Sequence, residues 1–277
     1  MSTLPFDLAV AAAAVVAGLI GSLIGLGGGI IITPMLVLGF GIDIRYAMGA
    51  ALVSVIATSS GAAAAYLKEG LSNMRIAMFL NVATTLGAVA GASLATVVNA
   101  DALSVVFGLA LLATVGLSLR PPPDDAGSGG DALGKRLRLT GEMPGKNGPV
   151  PYGARWIPGG FAMMVVAGIL SGLLGIGSGA FKVLAMDRIM RIPFKVSTTT
   201  SNFMIGVTAA ASVGIYLKKG YIDPALVAPV SLGVLVGAFL GAKLIHVVPV
   251  GPLRAIFLVA VTFIGFQMLG RGFGWSF

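Results

Sequence analysis

The chain has 277 residues, 57% hydrophobic and only 10% charged, with a mean hydropathy of +0.99. A soluble globule cannot hide that much apolar surface on folding, which excludes an ordinary cytosolic enzyme, a disordered chain and a nucleic-acid module. With no cysteine and one histidine, His246, thiol chemistry, iron–sulfur clusters and His-based metal or triad sites are also set aside, so neither cofactor nor metal is expected.

The net charge of +8, from 18 basic and 10 acidic residues, fits basic loops beside anionic lipid. A hydrocarbon core of ~30 Å needs about 20 apolar residues per helix. The charge-poor stretches of the first half are 8–40, 47–67, 76–98 and 102–119; those of the second are 161–185, 196–217, 225–245 and 255–269. These eight segments, four per half, predict an all-α polytopic membrane protein. Outer-membrane strands would alternate over ~10 residues instead. The N-terminus lacks the basic region of a signal peptide.

The first stretch, 8–40, would be about 50 Å long as a helix. That is too long for one straight crossing and short for two, and a full helix followed by a half-helix that turns back fits. Within it lies Gly25-Leu26-Gly27-Gly28-Gly29. Each glycine costs up to about 1 kcal/mol against alanine in a helix interior, so the cluster predicts an unwound segment. Unwound backbone survives at membrane depth only where protein or water satisfies it, and a half-helix N-terminus favours an anion. Close packing is the competing explanation, because Gly21, Gly25 and Gly29 keep a small-xxx-small spacing. Further along, Ser54, Thr58, Ser59 and Ser60, then Asn81, Thr84 and Thr85, are weaker polar candidates. Back-bonding to their own helix is the ordinary role of such hydroxyls.

Residues 120–155 break the apolar pattern with Pro121-Pro122-Pro123, Asp124-Asp125 and a Gly/Ser-rich run. Six basic and four acidic residues fall here, 10 of the chain's 28 charges. The stretch is expected to be a flexible, disordered hydrophilic linker, cytoplasmic by the positive-inside rule. The domains expected are thus a first transmembrane repeat (1–119), the linker (120–155) and a second transmembrane repeat (156–277).

The second half carries its own cluster, Gly175-Ile176-Gly177-Ser178-Gly179. Lys182 follows in an otherwise apolar stretch. A lysine near the membrane centre costs at least ~2.5 kcal/mol; it is either a fixed cation facing an anionic substrate or snorkels to a nearby interface. Asp187 with Arg188 reads as a helix end. Thr198-Thr199-Thr200-Ser201-Asn202 is a dense run of neutral donors with Thr208 on the same face, and the run is expected to line a cavity. Tyr66, Tyr216, Trp156 and Trp275 are expected to be interfacial anchors.

The halves align at a constant offset of 150. Val16-Ala17-Gly18 matches Val166-Ala167-Gly168, Tyr66-Leu67-Lys68 matches Tyr216-Leu217-Lys218, and Gly87-Ala88 matches Gly237-Ala238. Duplicated halves with Gly-interrupted segments in matching positions point to a secondary transporter with its site at the repeat interface. Placing the linker inside, an inverted arrangement with a re-entrant first element puts 14 of the 18 basic residues inside. A parallel one puts 11 there. Inverted repeats are therefore expected.

At Gly21-Ser22-Leu23-Ile24-Gly25-Leu26-Gly27-Gly28-Gly29 with Pro34, and at Gly172-Leu173-Leu174-Gly175-Ile176-Gly177-Ser178-Gly179 followed by Thr200-Ser201, the sequence resembles the sulfite exporter TauE/SafE family of membrane permeases. The resemblance covers both halves. It implies transport of a small sulfur-containing anion such as sulfite, a sulfonate or sulfoacetate. This chain departs from the family pattern in three places. Ser178 replaces a glycine, Ala50-Ala51 stands where a Thr-Ser pair is expected, and Lys182 occupies a usually apolar position.

The sequence thus predicts a permease, not an enzyme, in the cytoplasmic membrane, with export as the expected direction and an anion channel of the same fold as the alternative. The substrate-binding residues expected are Gly27, Gly28 and Gly29 in the first half, with Gly177, Ser178, Gly179, Lys182, Thr200, Ser201 and Asn202 in the second. The partners expected are the sulfur anion and the lipid bilayer; nucleic acid is excluded and a homodimer is left open.

Overall fold

The computed structural model describes residues 4–24, 29–68, 72–119, 130–145, 148–244 and 250–275. In the first half α1 (Leu4–Ile24) is followed by the short α2 (Gly29–Pro34), a π-helical turn (Met35–Gly39), α3 (Ile44–Lys68), α4 (Met74–Ala95) and α5 (Ala100–Ser118). Then come α6 (Ala132–Arg136) and the strands β1 (Thr140–Gly145) and β2 (Gly148–Gly153). The second half holds α7 (Ile157–Leu174), α8 (Gly179–Leu184), a π-helical turn (Ala185–Ile189), α9 (Phe194–Lys218), α10 (Pro224–Leu244) and α11 (Val250–Gly272). Among the described residues, six helices are long and apolar enough to cross a membrane. Large apolar side chains such as Leu86, Phe239 and Phe263 face outward, as lipid-facing surface requires.

Apolar helices gain nothing from leaving water once in lipid, so close backbone approach at small residues must hold them together. The glycines show where. A Cβ on Gly87 of α4 would meet the Val165 carbonyl of α7, and one on Gly168 would meet the Thr84 carbonyl. On the other side, a Cβ on Gly237 of α10 would meet the Val15 carbonyl of α1, and one on Gly18 the Val234 carbonyl. Each residue in the first pair of contacts stands 150 from its counterpart in the second. Close packing is thus the role of Gly18, Gly87, Gly168 and Gly237.

Direction can be read from the same contacts. α3 runs antiparallel to α9, because Gly49 near the start of α3 lies against Tyr221, just beyond α9, while Gly206 meets Ser59 in mid-helix. α5 runs antiparallel to α11, with Gly272 against Asp101 and Gly108 against Gly265.

The long first stretch of each half doubles back. The Arg155 amide, before α7, donates to the Met190 carbonyl at 2.9 Å, so the chain returns beside its entry point. In the first half the rings of Phe6 and Phe40 meet edge to face at 5.7 Å. Both hairpins agree with the sequence expectation of a helix followed by a shorter one that turns back.

The linker differs from its expectation. Its described residues are folded, and they add one two-stranded antiparallel hairpin, pairing Thr140 with Gly153 through Gly145 with Gly148, to an otherwise helical protein. Asp131 caps α6 by accepting from the Gly134 amide at 2.7 Å and also accepts from the Trp156 amide at 2.9 Å. Leu139, Tyr152 and Ala154 are buried in one cluster with Ile76, Leu80, Ile157, Met186 and Met190. Composition was misleading because these few apolar residues are enough to dock the hairpin on the helix ends.

Candidate functional site

The second glycine cluster is a true helix break. α7 ends at Leu174, and Gly175 and Gly177 both adopt φ +69, a left-handed conformation open to glycine without penalty. Ser178 shares it at φ 44, which costs a non-glycine residue roughly 1–2 kcal/mol. Its hydroxyl does not cap α8; it donates back to the Ala167 carbonyl at 2.6 Å. The last carbonyls of a helix have no partner within it. Here the Tyr216 hydroxyl donates to Gly172 O at 3.1 Å and approaches Leu173 O at 3.4 Å. Tyr216 is fully buried, so it is no interfacial anchor, contrary to expectation. Its partner was invisible in sequence because Tyr216 stands 44 residues along the chain from Gly172. Trp156 and Trp275 are exposed, as anchors would be; the side chain of Tyr66 lies outside the described ones.

The two hairpin tips meet. α2 begins at Gly29, where a Cβ would stand 2.7 Å from Val55 Cγ2 and 3.3 Å from Gly175 O. On Gly177 a Cβ would stand 2.8 Å from Ile205 Cγ2 and 3.4 Å from Val55 Cγ1, and on Gly179 it would stand 2.8 Å from Ile205 Cδ1. Val55 of α3 and Ile205 of α9, again 150 apart, therefore close over the glycines. Gly25, Gly27 and Gly28 lie outside the described residues.

Lys182 does not snorkel. It is fully buried, and its Nζ turns back to the break, donating to Gly177 O at 3.0 Å and Thr208 Oγ1 at 2.9 Å, with Met204 O at 3.5 Å. Thr208 Oγ1 lies 3.4 Å from Thr84 Oγ1 of α4. Among the described residues, no group of three or more acidic or histidine side chains could hold a metal ion.

The hydroxyl run on α9 divides. Ser201 is buried and donates to Gly179 O at 3.3 Å, which brings it to the break. Thr200 is buried, and its Oγ1 accepts from the Asn73 amide at 3.1 Å. Thr198 is half-buried and bonds back to Phe194 O and Lys195 O, and Thr199 bonds to Lys195 O and Val196 O. Asn202 is half-buried, and no hydrogen bond among the described residues ties it to the break. Of these hydroxyls, Ser201 thus bonds to the break directly and Thr208 through Lys182, while Thr200 faces Asn73, because a helix turns consecutive residues through 100°. In the first half Thr58 and Ser60 bond back to their own helix, while Ser54 also reaches Ser231 Oγ at 3.3 Å. Sequence reasoning missed Val55 and Ile205, whose residue types carry no chemical signal, and Asn73, whose type signals a helix N-cap but not its contact with Thr200.

The family model for the sulfite exporter TauE/SafE matches residues 10–268. The chain is 27% identical over 265 residues to "Probable membrane transporter protein YunE" of Bacillus subtilis, covering 93% of this chain and 95% of the relative. It is 28% identical over 246 residues to "Probable membrane transporter protein YdhB" of the same organism, covering 87% and 91%. A "Probable membrane transporter protein" of Xylella fastidiosa is 27% identical over 231 residues, covering 82% and 81%. No solved structure matches the chain significantly. With broken hairpins, buried polar groups and a family match over nearly its whole length, this chain belongs to the sulfite exporter TauE/SafE family.

Proposed function

We propose that the protein is a secondary transporter that exports a small sulfur-containing anion, such as sulfite, a sulfonate or sulfoacetate, across the cytoplasmic membrane. The observation that carries this reading is the meeting of Gly29 with Gly175 and Ile176. The start of α2 thus meets the break after α7 in the protein interior, with the buried Lys182 ammonium bonded to that break. The backbone amides at Gly29 and at Gly177–Gly179 supply neutral donors, Ser201 and Thr200 add hydroxyls, Asn202 lies one position beyond, and Lys182 compensates the charge of the guest; Gly27 and Gly28 lie outside the described residues.

The two halves are proposed to be an inverted duplication. Elements recur 150 residues apart, from Gly29 and Gly179 to Ile44 and Phe194. The antiparallel pairing of α3 with α9 and of α5 with α11 requires a two-fold axis in the membrane plane if these helices cross it. Residues 120–155 then lie on the cytoplasmic side, following the positive-inside rule.

Flux of labelled sulfite and of a sulfonate from proteoliposomes tests the reading. Saturable flux that is lost in Gly177→Val is expected. Absence of flux for every sulfur anion overturns it, and linear, very fast flux identifies an anion channel of the same fold instead.

A further inference from the structure

We propose that the Lys182 ammonium and the Asn81 side-chain amide form one subsite for a small monoanion, an inference that rests on the transporter reading above. Lys182 is fully buried, and all three groups around its Nζ are neutral: Gly177 O, Met204 O and Thr208 Oγ1. From Thr208 a row of side chains leads on to α4. Thr208 Oγ1 lies 3.4 Å from Thr84 Oγ1, and Thr84 Oγ1 donates to Asn81 Oδ1 at 3.4 Å. Asn81 is only 6% exposed, and its Nδ2, itself buried, has no hydrogen-bond partner among the described residues.

Among the described residues, one end of this row is thus a cation without a counter-ion, and the other an N–H donor without an acceptor. Leaving either unmet is costly in a low-dielectric interior. Both deficits have the same sign, and a single anion between α4, α8 and α9 answers both. Thr84 and Thr208 can turn their hydroxyls to it, since each is both donor and acceptor. The charge decides the class. One ammonium among neutral groups is balanced by a monoanion, whereas a dianion would leave a buried net negative charge. The site therefore selects a simple sulfonate or hydrogen sulfite over sulfate, and among the substrates proposed above it disfavours sulfoacetate, a dianion at neutral pH.

Titration of the purified full-length protein with methanesulfonate, sulfate and bromide, read by calorimetry and thermal shift, tests this. Methanesulfonate is expected to bind at least tenfold tighter than sulfate. Asn81→Asp, whose carboxylate pairs with Lys182 and occupies the place of the guest, is expected to weaken methanesulfonate at least tenfold without lowering Tm. Asn81→Ala, which adds no charge, gives the same direction should the aspartate variant fail to fold. Equal methanesulfonate affinity in wild type and both variants overturns the subsite and leaves the transporter reading intact. Sulfate binding as tightly as methanesulfonate overturns the monoanion assignment. Bromide binding that depends on Asn81, with no sulfur anion bound or moved, keeps the subsite and overturns the proposed substrate. Binding of none of the three overturns the subsite, and the transporter reading falls with it only if flux of every sulfur anion is absent as well.

Discussion

The backbone amide of Asn73 donates to Thr200 Oγ1 at 3.1 Å, which ties the start of α4 to the hydroxyl-rich face of α9. Asn73 does more than this. Its side chain caps α4 by accepting from the Ile76 amide at 3.1 Å, and its Nδ2 donates to Tyr152 OH at 3.0 Å and Thr140 O at 3.3 Å. One residue thus joins the linker hairpin, α4 and a candidate site residue. Thr200→Val keeps the shape and removes the acceptor, so a loss of about 1 kcal/mol is expected. Thr200→Ser should restore it. Thermal unfolding in detergent measures the difference. Asn73→Ala removes the cap and the hairpin contacts together and is expected to cost more, since a cap alone contributes about 1 kcal/mol.

Gly177 carries two separate constraints. Its φ is +69, and a Cβ there would stand 2.8 Å from Ile205 Cγ2. Gly177→Ala therefore costs roughly 1–2 kcal/mol for the left-handed backbone and a further ~1–3 kcal/mol for overpacking. Pairing it with Ile205→Ala relieves only the second part. A double-mutant cycle on Tm should show partial recovery, with flux still impaired because the break itself is distorted. Full recovery would mean that the backbone conformation contributes nothing.

The helical architecture and the break at Gly175–Gly179 were legible in the sequence, because apolar run length and clustered glycines act locally. The turn-back of the first stretch was also legible in the first half, since the 33 residues of 8–40 fit neither one crossing nor two, whereas 161–185 is short enough for a single crossing and carried no such signal. What escaped is long-range. Tyr216 looks like an interfacial anchor by type and position, yet the orphan carbonyls it serves lie 44 residues earlier. Lys182 left two readings open because snorkelling depends on the length of the half-helix, and only its contacts with Gly177 and Thr208 decide between them. Thr198 to Asn202 looked like one lining because consecutive polar residues stand out in sequence, whereas a helix spreads them around its surface. In residues 120–155, charge density hid the three residues Leu139, Tyr152 and Ala154 that dock the hairpin.

Docking of that hairpin should depend on alkaline pH. Burial holds the Tyr152 phenol above its ordinary pKa of 10.0, an effect only partly offset by the hydrogen bond from Asn73. The folded state therefore holds its proton more tightly than the unfolded chain does. Stability from this group is complete below the unfolded value of about 10 and is lost as pH rises from there through the folded value. Hydrogen exchange of residues 140–153 is expected to accelerate above that pH beyond the intrinsic base-catalysed rate. In Tyr152→Phe, which cannot ionise, the excess acceleration should vanish; its persistence would place the titrating group elsewhere.

Tyr216→Phe isolates the cap on α7. The ring stays buried against Tyr221, whose centroid is 6.3 Å away, so packing is preserved and only the hydroxyl is lost. Gly172 O then has no donor at a helix end held inside the protein, beside left-handed Gly175, whose own amide is spent on Ser171 O at 2.9 Å. An unmet buried carbonyl costs about 1–3 kcal/mol, and a loss in that range is expected from thermal unfolding. The same carbonyl fixes where α7 stops and the glycine tip begins, so the variant should also loosen the tip. Exchange of the amides at 175–179 ought to rise more than that of α10, which Tyr216 does not cap. A uniform rise across the protein would show that the hydroxyl supports global stability alone and has no special hold on the break.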